Sequence, residues 1–121
     1  MDFLKYIGLA IFIVIALVVV FMCVRMATLG FESRSVKPNL GLVDGRLKTC
    51  PDSPNCVNSY ADDEPHAVES IQGDIASLVG LAQHIKSLEN TELVNQTDNY
   101  LHATFHSKLI SFVDDLELYY D

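Results

Sequence analysis

The chain has 121 residues, half of them apolar, and a formal net charge of −8 at pH 7. The 95 residues after Met26 are enough for one small folded unit, which excludes a second domain. Arg25 to Lys48 carry five basic and two acidic residues, whereas Thr49 to Asp121 carry two basic and thirteen acidic, so the body of the protein repels phosphate backbones and is no nucleic-acid binder.

Residues 1–6 form a short amino-terminal tail. From Ile7 to Val24 the text is IGLAIFIVIALVVVFMCV, without a charge. Eighteen residues at ~1.5 Å each cover about 27 Å, close to the ~30 Å hydrocarbon core of a bilayer, and Tyr6 and Met26 extend the run at its interfaces. A membrane-spanning helix over 7–26 is therefore expected, with the bilayer as its first partner. A cleaved signal peptide has a shorter apolar core and small residues at its cleavage site, and Val24-Arg25-Met26-Ala27 provides no such site. A lipid-modified cysteine wants a small residue before it, and Met22 precedes Cys23. With no polar side chain in the span to carry an ion or a proton, any activity must reside in the domain that follows.

Residues 27–38, with Gly30, Ser33, Ser35 and Pro38 and little periodicity, read as a linker that lifts the domain off the bilayer. The basic residues Arg34, Lys37, Arg46 and Lys48 fit a solvated linker; contact with anionic headgroups is the alternative. The domain occupies 39–121. Asp44-Gly45 favours a turn with positive φ, and Pro51 to Asn55 form a tight loop between Cys50 and Cys56. Ala61 to Pro65 are acidic and exposed, with a short extended piece from His66 to Ile71. Asp74 is placed to cap a helix in which Ile75, Leu78, Val79, Ala82 and Ile85 recur at helical spacing, closing at Glu89 and Asn90. Leu93 to Gln96, Leu101 to Phe105 and Phe112 to Tyr120 read as strands separated by Thr97-Asp98-Asn99 and Ser107-Lys108. The expected fold is α+β: one transmembrane helix, then a small domain with an antiparallel sheet packed on one amphipathic helix.

Cys50 and Cys56 enclose five residues, two of them proline, and a structural disulfide is the leading reading. Closing so small a loop restricts the unfolded chain by ~2 to 3 kcal/mol. The spacing differs from the C-x-x-C of thiol exchange, and a zinc site needs two further ligands. A lasting disulfide points to an oxidising compartment. The flanking basic residues, fewer before the span than after it, point the domain to the cytoplasm instead. The cysteines are given more weight, because a short amino-terminal tail most often stays in the cytoplasm, and the domain is expected in the periplasm or an equivalent lumen.

His102 and His106 have the i, i+4 spacing of metal ligands on a helix, but Leu101, Ala103 and Phe105 alternate with them. In a strand the two histidines share a face and lie about 13 Å apart, too far for one ion; His66 and His84 stand apart from them. No metal or cofactor is expected. Asp114, Asp115 and Glu117 are the densest acidic cluster, with Asp115 and Glu117 on one strand face and Asp114 on the other. An ion-pairing role on a sheet face is the stronger reading, with ligand binding or acid–base chemistry as the alternative. Phosphate-loop, G-x-S-x-G and H-E-x-x-H motifs are all lacking, and no catalytic set is assigned.

Three phrases, LGLVDGRLKTCPDSPNCVNS (Leu40 to Ser59), NYLHATFHSKL (Asn99 to Leu109) and SFVDDLELYYD (Ser111 to Asp121), together resemble the domain-of-unknown-function 1499 family. The resemblance implies a small α+β domain, often tethered to a bacterial membrane or found in plastids, with no established reaction. Members of that family continue past the FVDDLE strand into a strand rich in Arg and Ser and a basic helix, whereas this sequence stops at Asp121. A truncated frame, or completion by elements from elsewhere, is the expectation that follows. A strand in that position exposes an unpaired edge, open to a membrane-protein partner or to self-association. The leading functional expectation is a tethered domain that acts by protein interaction, as an accessory subunit of a membrane complex. The rival is a module or enzyme for an envelope small molecule or lipid, using Asp114, Asp115 and Glu117.

Overall fold

The structure, a computed structural model, describes residues 2–121; Met1, the first residue of the expected tail, lies outside the described residues. Helix α1 (Asp2–Ser35) is long and apolar enough to cross a membrane, and its apolar window is not buried against the rest of the protein. It overruns the expected 7–26 span at both ends. The correction matters most at the carboxyl end, where Thr28 to Ser35 are helix and not linker. Here the hydroxyls of Thr28 and Ser35 bond back to the carbonyls of Arg25 and Glu32, so they follow the helix instead of breaking it. Pro38 then removes Lys37 from the helical region and ends the run.

The missing periodicity of this stretch has a local cause: it docks through two small residues only. Gly30 is buried, and a Cβ added there would meet the Ile110 carbonyl oxygen at 2.5 Å. One turn on, the Ser33 hydroxyl accepts the Val113 N–H at 2.9 Å and donates to the Val113 carbonyl at 3.2 Å.

After α1, the β1 (Leu42–Val43) and β2 (Arg46–Leu47) hairpin turns on Asp44 and Gly45, both at positive φ as their sequence implies. The extended piece expected over His66 to Ile71 shrinks to one parallel bridge between Asn58 and Ala67. Helix α2 (Ile75–Ser87) is capped by Asp74, whose carboxylate accepts the Ser77 N–H at 2.7 Å and the Ser77 hydroxyl at 2.5 Å. Those bonds hold the Asp74 carboxyl below its ordinary value. The helix closes at Leu88, two residues before Asn90 adopts a positive φ.

Strands β3 (Thr91–Gln96), β4 (Tyr100–His106) and β5 (Val113–Tyr119) make an antiparallel sheet in the order β3-β4-β5. Leu101, Ala103 and Phe105 point to α2, where Leu101 and Ala103 form a buried cluster with Ala82 and Ile85, covered by Leu78, Leu93, Leu116 and Leu118. Ile75 and Val79, expected on the same helix face, are exposed, whereas Leu78, Ala82 and Ile85 pack on the sheet.

Candidate functional site

Alternation along β4 and β5 sends Tyr100, His102, Asp115 and Glu117 to the sheet face turned away from α2. Asp114 falls on the other face and is exposed, so the acidic triple splits into a pair and a single residue. Each member of the pair is occupied. Glu117 Oε1 accepts the Tyr100 hydroxyl at 2.5 Å and the Gly41 N–H at 2.6 Å, which pins the segment before β1 over the sheet. His102 Nε2 donates to Asp115 Oδ1 at 2.6 Å. Burial first, and then the Glu117 carboxylate, drives the Tyr100 hydroxyl well above the usual phenol range, so it remains a donor and not a base. Between this face and Pro38 to Leu42 lies an open cleft of about 510 Å³ bordered by Val94, Asn95, Tyr100 and His102. The volume is within the range of small-molecule sites.

A second centre surrounds Cys50 and Cys56, which are joined by a disulfide with Cα atoms 5.7 Å apart. Asn58, buried beside it, donates to the Lys48 carbonyl at 2.7 Å and accepts the Tyr60 N–H at 2.9 Å, tying the loop to the end of the hairpin. Tyr60 lies under Arg46, 5.4 Å from its ring centre, and donates to Asp121 at 2.7 Å; that bond raises the phenol above its ordinary value.

His66 is where sequence reasoning fell short. It looks isolated in the sequence because its partners lie three and thirteen residues away in an irregular loop. Its side chain is only 17% exposed, with Nδ1 against the Asp63 carboxylate and Nε2 3.0 Å from the Ser53 carbonyl. Both neighbours are acceptors, so both ring nitrogens carry protons only in the imidazolium form. The Asp63 bond, followed by the Ser53 carbonyl, raises the imidazole above its ordinary value of 6.5, while His66 lowers Asp63 below 3.8. The histidine's contribution to stability is therefore complete below pH 6.5 and is lost as pH rises through its raised value. Asp63's contribution is present above pH 3.8 and is lost as pH falls through its lowered value. On the alkaline side, the urea midpoint of the wild type is expected to fall between about pH 5.5 and about pH 8.5, and His66→Gln to fall less over that interval.

His102 and His106 share a face of β4 but find separate partners, Asp115 and Thr104. Among the described residues, no group of three His, Cys, Asp or Glu side chains is placed to hold a metal ion.

No curated protein and no solved structure is matched by the chain. A family model does match, over residues 46–121, the stretch from β2 through β5 that holds the disulfide, α2 and the whole sheet. The chain belongs to that family, described as Protein of unknown function (DUF1499).

Proposed function

We propose that the protein is a single-pass membrane protein of the bacterial inner membrane whose domain lies on the periplasmic side. It acts there by protein interaction, as an accessory subunit of a membrane complex, receiving an extended segment of its partner along β5. The compartment rests on the Cys50–Cys56 disulfide.

The observation that carries the interaction is the outer edge of β5. Ser107 N–H bonds the Phe112 carbonyl and Tyr120 N–H bonds the Asn99 carbonyl, so Phe112, Asp114, Leu116, Leu118 and Tyr120 direct their backbone groups to β4. Val113, Asp115, Glu117 and Tyr119 direct theirs outward. Ser33 satisfies Val113, and among the described residues no backbone bond reaches the outward groups of the other three. Asp115 shows the result directly: the residue is exposed although its side chain is only 20% exposed.

The opposite edge is a poor template, because the register shifts between Leu93 and Asn95 and a bulge interrupts the row of donors and acceptors. Charge narrows the partner. A symmetric antiparallel pairing of two β5 strands over their full length places Asp115 opposite Glu117 twice, which disfavours self-association. An extended segment with alternating basic residues suits the edge better.

A peptide alternating Lys with Val, titrated into the detergent-solubilised full chain, is expected to slow amide exchange at Asp115, Glu117 and Tyr119 roughly tenfold, about 1.4 kcal/mol per site. Tyr119→Pro removes one outward N–H and leaves the bonds to β4, and it should weaken the effect. Protection along β3 instead, or none at all, refutes the reading.

The cleft beside Tyr100 and His102 supports a second reading, as a small-molecule module. Purification from gently solubilised membranes separates the two: a stoichiometric protein partner favours the first, a monomer carrying a small ligand the second. In the latter case Asp115→Asn with Glu117→Gln should release the ligand without unfolding the domain.

A further inference from the structure

We propose that the loop between β4 and β5 is a second membrane contact, with the Leu109 side chain entering the headgroup layer of the bilayer that α1 crosses. The proposal rests on the reading of α1 as a membrane span.

The helix itself serves as a ruler. If Ile7 to Met26 fill the hydrocarbon core, Gly30 lies four residues beyond it, about 6 Å at 1.5 Å per residue. A headgroup layer is roughly 5 to 8 Å deep on each side, so Gly30 lies within it. Ile110 is packed on Gly30, and Val113 is bonded to Ser33. From Ile110 to Val113 the chain thus climbs beside the helix, away from the membrane. The residues just before Ile110 lie at the membrane-facing end of that climb.

Those residues are Lys108 and Leu109, and Leu109 is 93% exposed. The loop is held in place. Ser107 N–H bonds the Phe112 carbonyl, Ser111 N–H bonds the Ser107 carbonyl, and Phe112 N–H bonds the Ser107 hydroxyl. A leucine with almost no protein contact is therefore fixed at the depth where an apolar side chain leaves water for lipid. Phe31, next to Gly30 on the helix, is also largely exposed at this level. Lys108 pairs with Glu89 at 3.2 Å, so the loop brings one cation whose charge is offset within the domain.

The test uses the full chain, oxidised, with Cys23→Ser to remove the free thiol, reconstituted in vesicles of phosphatidylcholine and phosphatidylglycerol. A nitrobenzoxadiazole label is attached in turn at Leu109→Cys, Val18→Cys and Asp98→Cys, the last in the turn at the far end of β4. Blue-shifted emission and quenching by acyl-chain bromine are expected at positions 18 and 109 but not at 98. Quenching at 18 alone overturns the proposal and leaves the anchor standing. Loss of quenching at 18 overturns the membrane reading itself. Equal quenching at 109 and 98 means that the domain lies flat on the bilayer, which also overturns a loop-specific contact.

Discussion

Leu101→Ala is expected to cost the domain about 2 to 5 kcal/mol, seen as a fall in the urea midpoint followed by tyrosine fluorescence. Leu101 is 0% exposed and sits where α2, β4 and β5 meet, with Ile85 as the other large side chain that is fully buried. The removed atoms leave a cavity that the short strands and a single helix cannot close without shifting the register to Leu118. A domain of this size holds only about 5 to 15 kcal/mol in total, so the variant should lie near the edge of folding. Leu109→Ala provides the contrast: in solution it removes a side chain without neighbours, and the midpoint should move by less than about 0.5 kcal/mol. Equal effects from the two substitutions would mean that the core has been located wrongly.

Gly30→Ala is expected to weaken the docking of α1 on β5 by about 1 to 3 kcal/mol, although alanine is the better helix former by roughly 1 kcal/mol. The atom in the way is the Ile110 backbone carbonyl, 2.5 Å from the new Cβ, which no rotamer change can move aside. The readout is exchange of the Val113 amide, whose hydrogen bond to Ser33 depends on that contact. Its protection should fall roughly 5- to 150-fold while the buried amide of Ala103 is unaffected. A Cβ added at Gly8 meets nothing within 4 Å, so Gly8→Ala in the same helix should leave both amides unchanged. If Val113 keeps its protection in Gly30→Ala, helix and domain are not coupled, and the depth assigned to Leu109 loses its ruler.

The two substitutions probe different kinds of information. The core around Leu101 is legible in the sequence, since alternation of Leu101, Ala103 and Phe105 with polar residues is a local pattern that a strand must bury on one side. The same holds for the Asp74 cap and the Asp44-Gly45 turn, which depend on residues within three positions of each other. Contacts between distant segments are not legible. Gly30 and Ser33 look like chain breakers until Ile110 and Val113 are beside them, some 80 residues away. His66 looks solitary until the disulfide loop brings the Ser53 carbonyl to its second nitrogen.

The candidate site divides in the same way. The split of Asp115 and Glu117 from Asp114 follows from strand periodicity and was expected; that Glu117 is consumed by Tyr100 and Gly41 was not, because Gly41 arrives from a segment 76 residues earlier. By itself the sequence determined the apolar span, the α+β class and the strands, each of which follows from short-range periodicity and composition. The tertiary structure alone decided that α1 is fastened to β5 and that, among the described residues, no backbone hydrogen bond reaches the outward groups of Asp115, Glu117 and Tyr119. It also decided that Glu117 ties the Gly41 N–H to the sheet, since hydrogen-bond partners far apart in the chain are chosen by packing and leave no periodic trace.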